Sequence, residues 1–479
     1  MQRIGKAFSG MLLERLYNDW LAQASYLLGC QESKTAIAID PNRDIDRYVA
    51  LAAQHKLTIA YVAETHIHAD FVSGARELAR LTGAQLLLSA EGGPDWQYAF
   101  AKAAGARLLH DGDEIDIGNV RLKVRHTPGH TPEHASYIVT DRATSERPVG
   151  MFTGDFVFAG DVGRPDLLER AANLRGTMDA LARSLYRSVR DLSSLPDYLQ
   201  LWPGHGAGSA CGKSLGAMPS TTLGYERLAN WAFQIDDEGR FVDEVLAGQP
   251  EPPKYFARMK AINRDGPPPP PAADELPEID LAGFETAIAE GTPVIDVRAT
   301  ADFAAGHLPK TLNLPTGTSF ITWSGSLLPY DRDIVILADD QNRIARARHG
   351  LSLIGLDRVI ARGGAPLRAE WQARHGRLQT VRRMAVQELA ATSDRRVLDV
   401  RGAAEWSEGH LAKAEHKFLG DLAELSRDIP RDTPIAVHCQ GGTRSAIAAS
   451  LLQAQGFTDV ANIAGGIQAW KAAGLPVEQ

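Results

Sequence analysis

Four times in its first 205 residues the chain runs a short apolar stretch into a residue able to ligate a metal, and this recurrence limits the fold more than any other feature. Residues 57–63 (LTIAYVA) have the period and β-branched content of a buried strand. His66, His68 and Asp70 follow at i, i+2 and i+4, where an extended backbone can aim all three into one cavity. Residues 120–124 lead to a tight turn at Pro128-Gly129-His130, residues 149–152 to Asp155, and residues 198–201 to Pro203-Gly204-His205. Neutral imidazole and carboxylate are the ligand set of zinc or non-haem iron.

The order HxHxD…H…D…H resembles the metallo-β-lactamase superfamily, which implies an αββα sandwich. Hydrolytic members usually read HxHxDH, but Phe71 stands at the last position and a phenyl ring cannot ligate, so a two-zinc site is impaired. His66, His130 and Asp155 remain, two histidines and a carboxylate, the open facial triad of non-haem Fe(II) oxygenases. The stretch resembles the persulfide dioxygenase branch, which implies one Fe(II) per chain. His68, Asp70 and His205 then line the site or are remnants of a second one.

Three histidines compete within residues 126–134; the turn and the family pattern favour His130, leaving His126 and His134 as hydrogen-bonded strand residues. Asp161 and Asp166 read as loop-shaping, and Arg164 as either a contact for an anionic substrate or a structural ion pair. Cys211 lies in a Gly/Ser-rich segment six residues after His205, with Lys213 at hand to lower a thiol pKa. A similar cysteine in persulfide dioxygenases fused to rhodanese-like domains is a candidate sulfur relay; a small residue filling a tight space is the other reading.

At about 150 residues per domain, 479 residues suggest three domains. A net charge of -8 argues against nucleic acid as a partner. Cys30, Cys211 and Cys439 form no CxxC and no disulfide framework, which points to a reducing compartment. Glu14, Arg15 and Asp19 break up the apolar N-terminal residues before a signal sequence forms, and no run of 18 apolar residues occurs. A cytoplasmic protein without membrane contact is expected.

Prolines cluster at residues 250–253 and 267–271, a stiff spacer that cannot join a sheet, with a short helix expected between them over residues 254–263. Beyond it the chain repeats itself. Val294-Ile295-Asp296-Val297-Arg298 recurs as Val397-Leu398-Asp399-Val400-Arg401, and Gly306-His307-Leu308 as Gly409-His410-Leu411. These paired elements resemble rhodanese domains. In the second copy a strand ends at Cys439, and Gln440, Gly441, Gly442, Thr443, Arg444 and Ser445 lead into a helix. Such a loop cradles an anion and favours a thiolate able to carry a persulfide, with Arg444 adding charge or holding the loop. A cysteine phosphatase shares the CxxxxxR shape; the flanking elements favour rhodanese. In the first copy Ala338 stands at the cysteine position and is followed by Asp339 and Asp340, so it can do no thiol chemistry and is a structural or docking unit.

The expected architecture is therefore α/β multidomain: a metallo-β-lactamase sandwich over residues 1–248, a Pro-rich linker over 249–277, and rhodanese-like domains over 278–378 and 379–479. The resemblance implies a persulfide dioxygenase–sulfurtransferase of sulfide detoxification. It would take a low-molecular-weight persulfide, O2 and sulfite as substrates and act as a homo-oligomer, a dimer or tetramer. The competing readings are a zinc-dependent thioester hydrolase of the glyoxalase II kind and a non-enzymatic sulfur-sensing scaffold.

Overall fold

The computed structural model describes residues 10–479 apart from 168, 170–175, 273 and 392–393. The chain divides into two compact units, residues 1–270 with 353–355, and residues 271–352 with 356–479.

The first unit holds two six-stranded sheets. One runs Met11–Asn18 (β1), Gln23–Cys30 (β2), Thr35–Ile39 (β3), Thr58–Ala63 (β4), Gln85–Ser89 (β5) and Arg107–Leu109 (β6) in chain order. The other is built from Glu114–Ile117 (β7), Val120–His126 (β8), Ala135–Asp141 (β9), Gly150–Gly154 (β10), Gln200–Pro203 (β11) and Thr221–Thr222 (β12), again adjacent in chain order. Leu28, Ile37, Leu87, Val124, Tyr137 and Phe152 pack between the sheets. Helices Ile45–Gln54 and Ala75–Thr82 cover the outer face of the first through Tyr48 and Leu78, and helix Met178–Asp191 covers the second through Leu185 and Val189. The αββα layering expected from the motif order is present. Strand β1 was hidden in the sequence because Glu14 and Arg15 interrupt its apolar run; it pairs antiparallel with β2 along its whole length.

Within the stretch read as a spacer, Phe256–Asp265 is helical and buries Phe256, Met259 and Asn263 in this unit. The proline run is also held, because the Arg43 guanidinium donates to the carbonyls of Pro268 (3.2 Å) and Pro269 (2.7 Å).

The second unit contains the two copies. Val294–Asp296 (β13), Thr311–Asn313 (β14), Ile334–Leu337 (β15) and Val359–Gly363 (β16) form a parallel sheet in the order β14-β13-β15-β16. Arg382–Met384 (β17), Arg396–Asp399 (β18), Ala414–His416 (β19), Ile435–His438 (β20) and Val460–Ile463 (β21) form the other, in the order β17-β21-β20-β18-β19. The repeat is also one of chemistry. Arg298 pairs with Asp296 and donates to the Gly306 carbonyl, and Arg401 pairs with Asp399 and donates to the Gly409 carbonyl. Helix Thr443–Ala454 is buried nearly all round, as a helix covered on more than one face must be. It lies against its own sheet and against β14, where the Asn313 N–H donates to Ser450 Oγ (2.9 Å).

The copies part at the turn after the central strand. Cys439 opens a four-residue loop, 439–442, before its helix, whereas Ala338 opens only three, 338–340, before helix Gln341–Leu353. The Ala338 N–H is bonded to the Gly363 carbonyl, and Asp339 is held by Arg368 (2.6 and 2.8 Å). A thiol placed there gains no cradle of loop N–H groups. Ala338→Cys in a Cys439→Ser background is therefore expected to give no thiosulfate:cyanide sulfurtransferase activity above that of Cys439→Ser alone; robust turnover would show that the shorter loop suffices.

Candidate metal centre and cysteine loop

His66 follows β4, His130 follows β8, Asp155 follows β10 and His205 follows β11, so the ends of four strands deliver the four groups to one place. All four are buried. The nearer Asp155 oxygen lies 3.8 Å from His66 Nε2 and 3.5 Å from the Nε2 atoms of both His130 and His205.

Each histidine is turned the same way by a bond from its other nitrogen. His130 Nδ1 donates to the Arg164 carbonyl (3.0 Å) and His205 Nδ1 to the Ala22 carbonyl (3.1 Å). His66 Nδ1 meets Thr65 Oγ1 (2.9 Å), whose own proton goes to Asp40 (2.8 Å), so Oγ1 receives the imidazole proton. Every Nε2 therefore presents a lone pair to the cavity, the arrangement that metal-bound histidines use. Burial and the surrounding imidazoles push His66 well below the usual histidine range, and burial also lowers His130, so both are neutral ligands. Neither oxygen of Asp155 or Asp70 accepts a hydrogen bond from nitrogen or oxygen, although both residues are buried. Buried carboxylates without donors are costly unless a cation compensates them, so the donor set fits a divalent metal. His66, His130 and Asp155 form a metal-binding site, their ligand atoms all within 4.8 Å of one another.

His68 turns away from this set. Its Nε2 bonds Asp40 (3.1 Å), and although burial opposes its charge, Asp40, Glu64 and Asp70 outweigh burial and raise it to about 9. Phe71 packs on its ring at 4.5 Å. Asp70 and His205 (3.3 Å apart) instead face Cys211, and these three form a second group of metal-capable ligands.

The alternatives left open for Cys211 and Arg164 can be compared with the structure here. Cys211 is not a lowered thiol on an open loop: it is 1% exposed, and burial, reinforced by Asp155 and Asp70, pushes its pKa well up. Lys213 does not help it, because its ammonium is engaged by Glu244. The alternatives for Arg164 also resolve, since it is fully buried in a two-bond pair with Asp166 (2.7 and 2.8 Å) and can meet no incoming anion. Asp161 shapes the Cys211 segment by accepting from the backbone of Lys213 and Ser214.

Several contributors escaped sequence reading. Asp40 fixes both Thr65 and His68, and Glu133 accepts from the Ile67 N–H (2.8 Å); His134, read from sequence as hydrogen-bonded, accepts through Nε2 from the Asp155 N–H (3.1 Å). Gly154 has φ +49°, and a side chain there would meet Thr65 Oγ1 at 2.5 Å. Asn263 of the 256–265 helix donates to the carbonyls of His68 (2.8 Å) and Phe71 (2.7 Å) and accepts from the Ser73 N–H (2.9 Å). The helix was legible as a short element over residues 254–263, but nothing local marks the target of Asn263.

In the second unit, Cys439 Sγ is almost wholly covered and accepts from the Gly442 N–H (3.1 Å); Ser445 Oγ lies 3.4 Å from it and gives its own proton to Asn462 Oδ1 (2.7 Å). Arg444 holds the loop rather than facing the sulfur, through two bonds to Glu405 (2.6 and 2.7 Å). Gln440 and Gly441 complete the loop, and Thr443 opens the helix. Cys30, Cys211 and Cys439 are all free thiols, and no helix among the described residues is long and apolar enough to cross a membrane.

Fold and sites thus define a metal-binding αββα unit followed by two parallel-sheet α/β copies of one repeat. The metallo-beta-lactamase superfamily model matches residues 18–205, and the rhodanese-like domain model matches residues 384–473. Persulfide dioxygenase ETHE1, mitochondrial, of Bos taurus is 30% identical over 200 residues, which cover 41% of this chain and 68% of that protein. A probable metallo-hydrolase of Burkholderia pseudomallei is 30% identical over 222 residues, 41% of this chain and 72% of that one. The crystal structure of a metallo-beta-lactamase from Staphylococcus aureus subsp. aureus COL superposes with a TM-score of 0.67 at 39% identity, covering 74% of this chain and 99% of that one. The chain belongs to the metallo-β-lactamase superfamily, with a rhodanese-like domain at its C-terminal end.

Removing the Asn263 side chain leaves two carbonyls and one N–H of the His68–Ser73 loop unpaired. Asn263→Ala is expected to destabilise the protein by on the order of 3 kcal/mol in urea unfolding and to weaken metal binding at least tenfold. Parent-like stability and metal affinity would show that the loop holds itself.

Glu133 makes a pH-dependent contribution. Burial raises its carboxyl from 4.5 to about 7, so the folded state binds the proton more tightly than the unfolded state. Its stability contribution is complete below about 4.5 and is lost as pH rises through about 7. Glu133→Gln keeps the acceptor for Ile67 and is expected to flatten the urea midpoint against pH across that window; an unchanged slope would assign the dependence elsewhere.

Proposed function

We propose that this protein oxidises the sulfane sulfur of low-molecular-weight persulfides with O2 in its first unit and transfers sulfane sulfur at Cys439 in its second, in the cytoplasm, as part of sulfide detoxification. The observation that carries this reading is the composition of the metal set. His66, His130 and Asp155 are two histidines and one carboxylate, and Phe71 occupies the position from which hydrolytic relatives draw a further ligand. The likeness to persulfide dioxygenase across the same unit supports it. Free thiols at Cys30, Cys211 and Cys439 fit a reducing compartment.

His66, His130 and Asp155 would hold one Fe(II) per chain, which supplies an open redox centre where the substrate sulfur and O2 can meet. The protein's part is to set that centre. Thr65 and the Arg164 carbonyl fix the imidazoles. Asp40 keeps His68 charged and turned aside. The overall change is RSSH + O2 + H2O → RSH + H2SO3. Cys439 then takes sulfane sulfur from a second persulfide, releasing its thiol, and sulfite removes that sulfur as thiosulfate. The Gly442 N–H holds Sγ. Having both sites on one chain raises the effective concentration of sulfite near Cys439.

The Asp70–His205–Cys211 group favours one competing reading, a two-metal thioester hydrolase, because Cys211 could supply the ligand that Phe71 cannot. His130→Ala separates the metal chemistry from the thiol chemistry: it is expected to abolish metal retention and O2 uptake while thiosulfate:cyanide transfer stays at the parent rate. Undiminished O2 uptake would remove His130 from the site.

Cys439→Ser is the complementary variant. A hydroxyl cannot carry sulfane sulfur as a persulfide, and the metal ligands are untouched, so O2 uptake should persist with sulfite released in place of thiosulfate. Product is followed at early times and low persulfide, where uncatalysed sulfite–polysulfide reaction is slow. Thiosulfate at the parent rate would exclude Cys439 as the carrier.

A further inference from the structure

Asp70, His205 and Cys211 converge beside the first ligand set, and all three are buried. Their ligand atoms, a carboxylate oxygen, an imidazole nitrogen and a thiol sulfur, all lie within 4.8 Å of one another. We propose that they form a second metal site with a thiolate ligand, which takes a borderline-soft divalent ion such as zinc beside the ion held by His66, His130 and Asp155.

Three observations support the site. The first is geometry. Two ligands about 2.0–2.1 Å from one ion at the tetrahedral angle stand about 3.4 Å apart. Asp70 Oδ2 and His205 Nε2 are 3.3 Å apart. His205 Nδ1 is spent on the Ala22 carbonyl, so the Nε2 lone pair is the one that faces Asp70. His205 Nε2 also lies 3.5 Å from Asp155 Oδ2, so the two ligand sets meet at that carboxylate.

The second is an unmet acceptor. Asp70 is only 5% exposed, yet neither of its oxygens accepts a hydrogen bond from nitrogen or oxygen. An ion in the first set does not ligate it, because Asp70 stands outside that set. Buried charge is costly unless paired, and an ion bound at Asp70 itself compensates it.

The third is the way the sulfur is held. The Arg164 N–H donates to the Cys211 carbonyl (3.1 Å), the Arg164 guanidinium donates to the Ala210 carbonyl (3.2 Å), and Ser209 Oγ accepts from the Cys211 N–H (3.1 Å). The Arg164 carbonyl is also the acceptor that orients His130, so one buried residue fixes a ligand of each set. Outer hydrogen bonds of this kind orient metal ligands.

The donor atoms select the ion. Two imidazoles and a carboxylate suit Fe(II), whereas a set that includes thiolate favours zinc. Phe71 withholds an imidazole and Cys211 brings sulfur instead, so the two sites differ in softness. Binding releases the Cys211 proton to solvent, because a coordinating thiol is deprotonated outright.

The site goes beyond the persulfide reading and does not depend on it. Titration of the full chain with Co(II), followed by absorption, tests it, because a cobalt–thiolate bond gives a near-ultraviolet charge-transfer band that nitrogen and oxygen ligands do not. The parent is expected to develop that band by the second equivalent. Cys211→Ser should lose it and keep the visible cobalt absorption of the first set, while Cys30→Ser and Cys439→Ser should keep it. Asp70→Asn, which preserves shape and removes charge, should weaken the second equivalent at least tenfold. Iron-loaded protein dialysed against zinc should retain zinc beside its iron, and Cys211→Ser should retain iron alone. The proposal is overturned if the parent shows no charge-transfer band, if the band survives Cys211→Ser or is lost with Cys30→Ser or Cys439→Ser, if Asp70→Asn binds the second equivalent like the parent, or if Cys211→Ser retains zinc equally. Failure of the persulfide reading would show separately, in the iron content and O2 uptake of protein without added zinc.

Discussion

The first unit is organised around an electrostatic debt: the Asp155 and Asp70 carboxylates lie buried, with no N–H or O–H donor on any of their oxygens. Isolated buried charge is tolerated only when a cation compensates it. The surrounding bonds are consistent with that need. Acceptors take the Nδ1 protons of His66, His130 and His205, and a glycine at 154 lets Thr65 approach. The strands position the ligands, and the outer hydrogen bonds decide which atom each ligand presents.

The strand-then-ligand recurrence made the sandwich and four of its metal-facing residues legible, because strand period and ligand type are both local properties. The supports were not legible. Asp40 and Thr65 meet across 25 positions and Asn263 reaches Phe71 across 192, and no local pattern encodes such a pairing. For Cys211 the sequence left two readings open. Gly/Ser-rich composition suggested an open loop, but Asp161 pins that segment and buries the thiol against carboxylates.

The repeat was readable from paired motifs, and so was the loss of the cysteine. That the first copy's turn is one residue shorter, and that its β14 edge lies against the helix following Cys439, depends on the folded arrangement. The same architecture thus serves two ends. In one copy the Gly442 N–H of the loop faces a sulfur, while in the other the shorter loop carries Asp339, paired with Arg368.

Metal content after anaerobic purification, measured together with O2 consumption on a panel of persulfides, tests the central claim most directly. The account predicts about one iron per chain and one O2 consumed per persulfide oxidised. Two zinc ions per chain with hydrolysis of thioesters and no O2 uptake would contradict it.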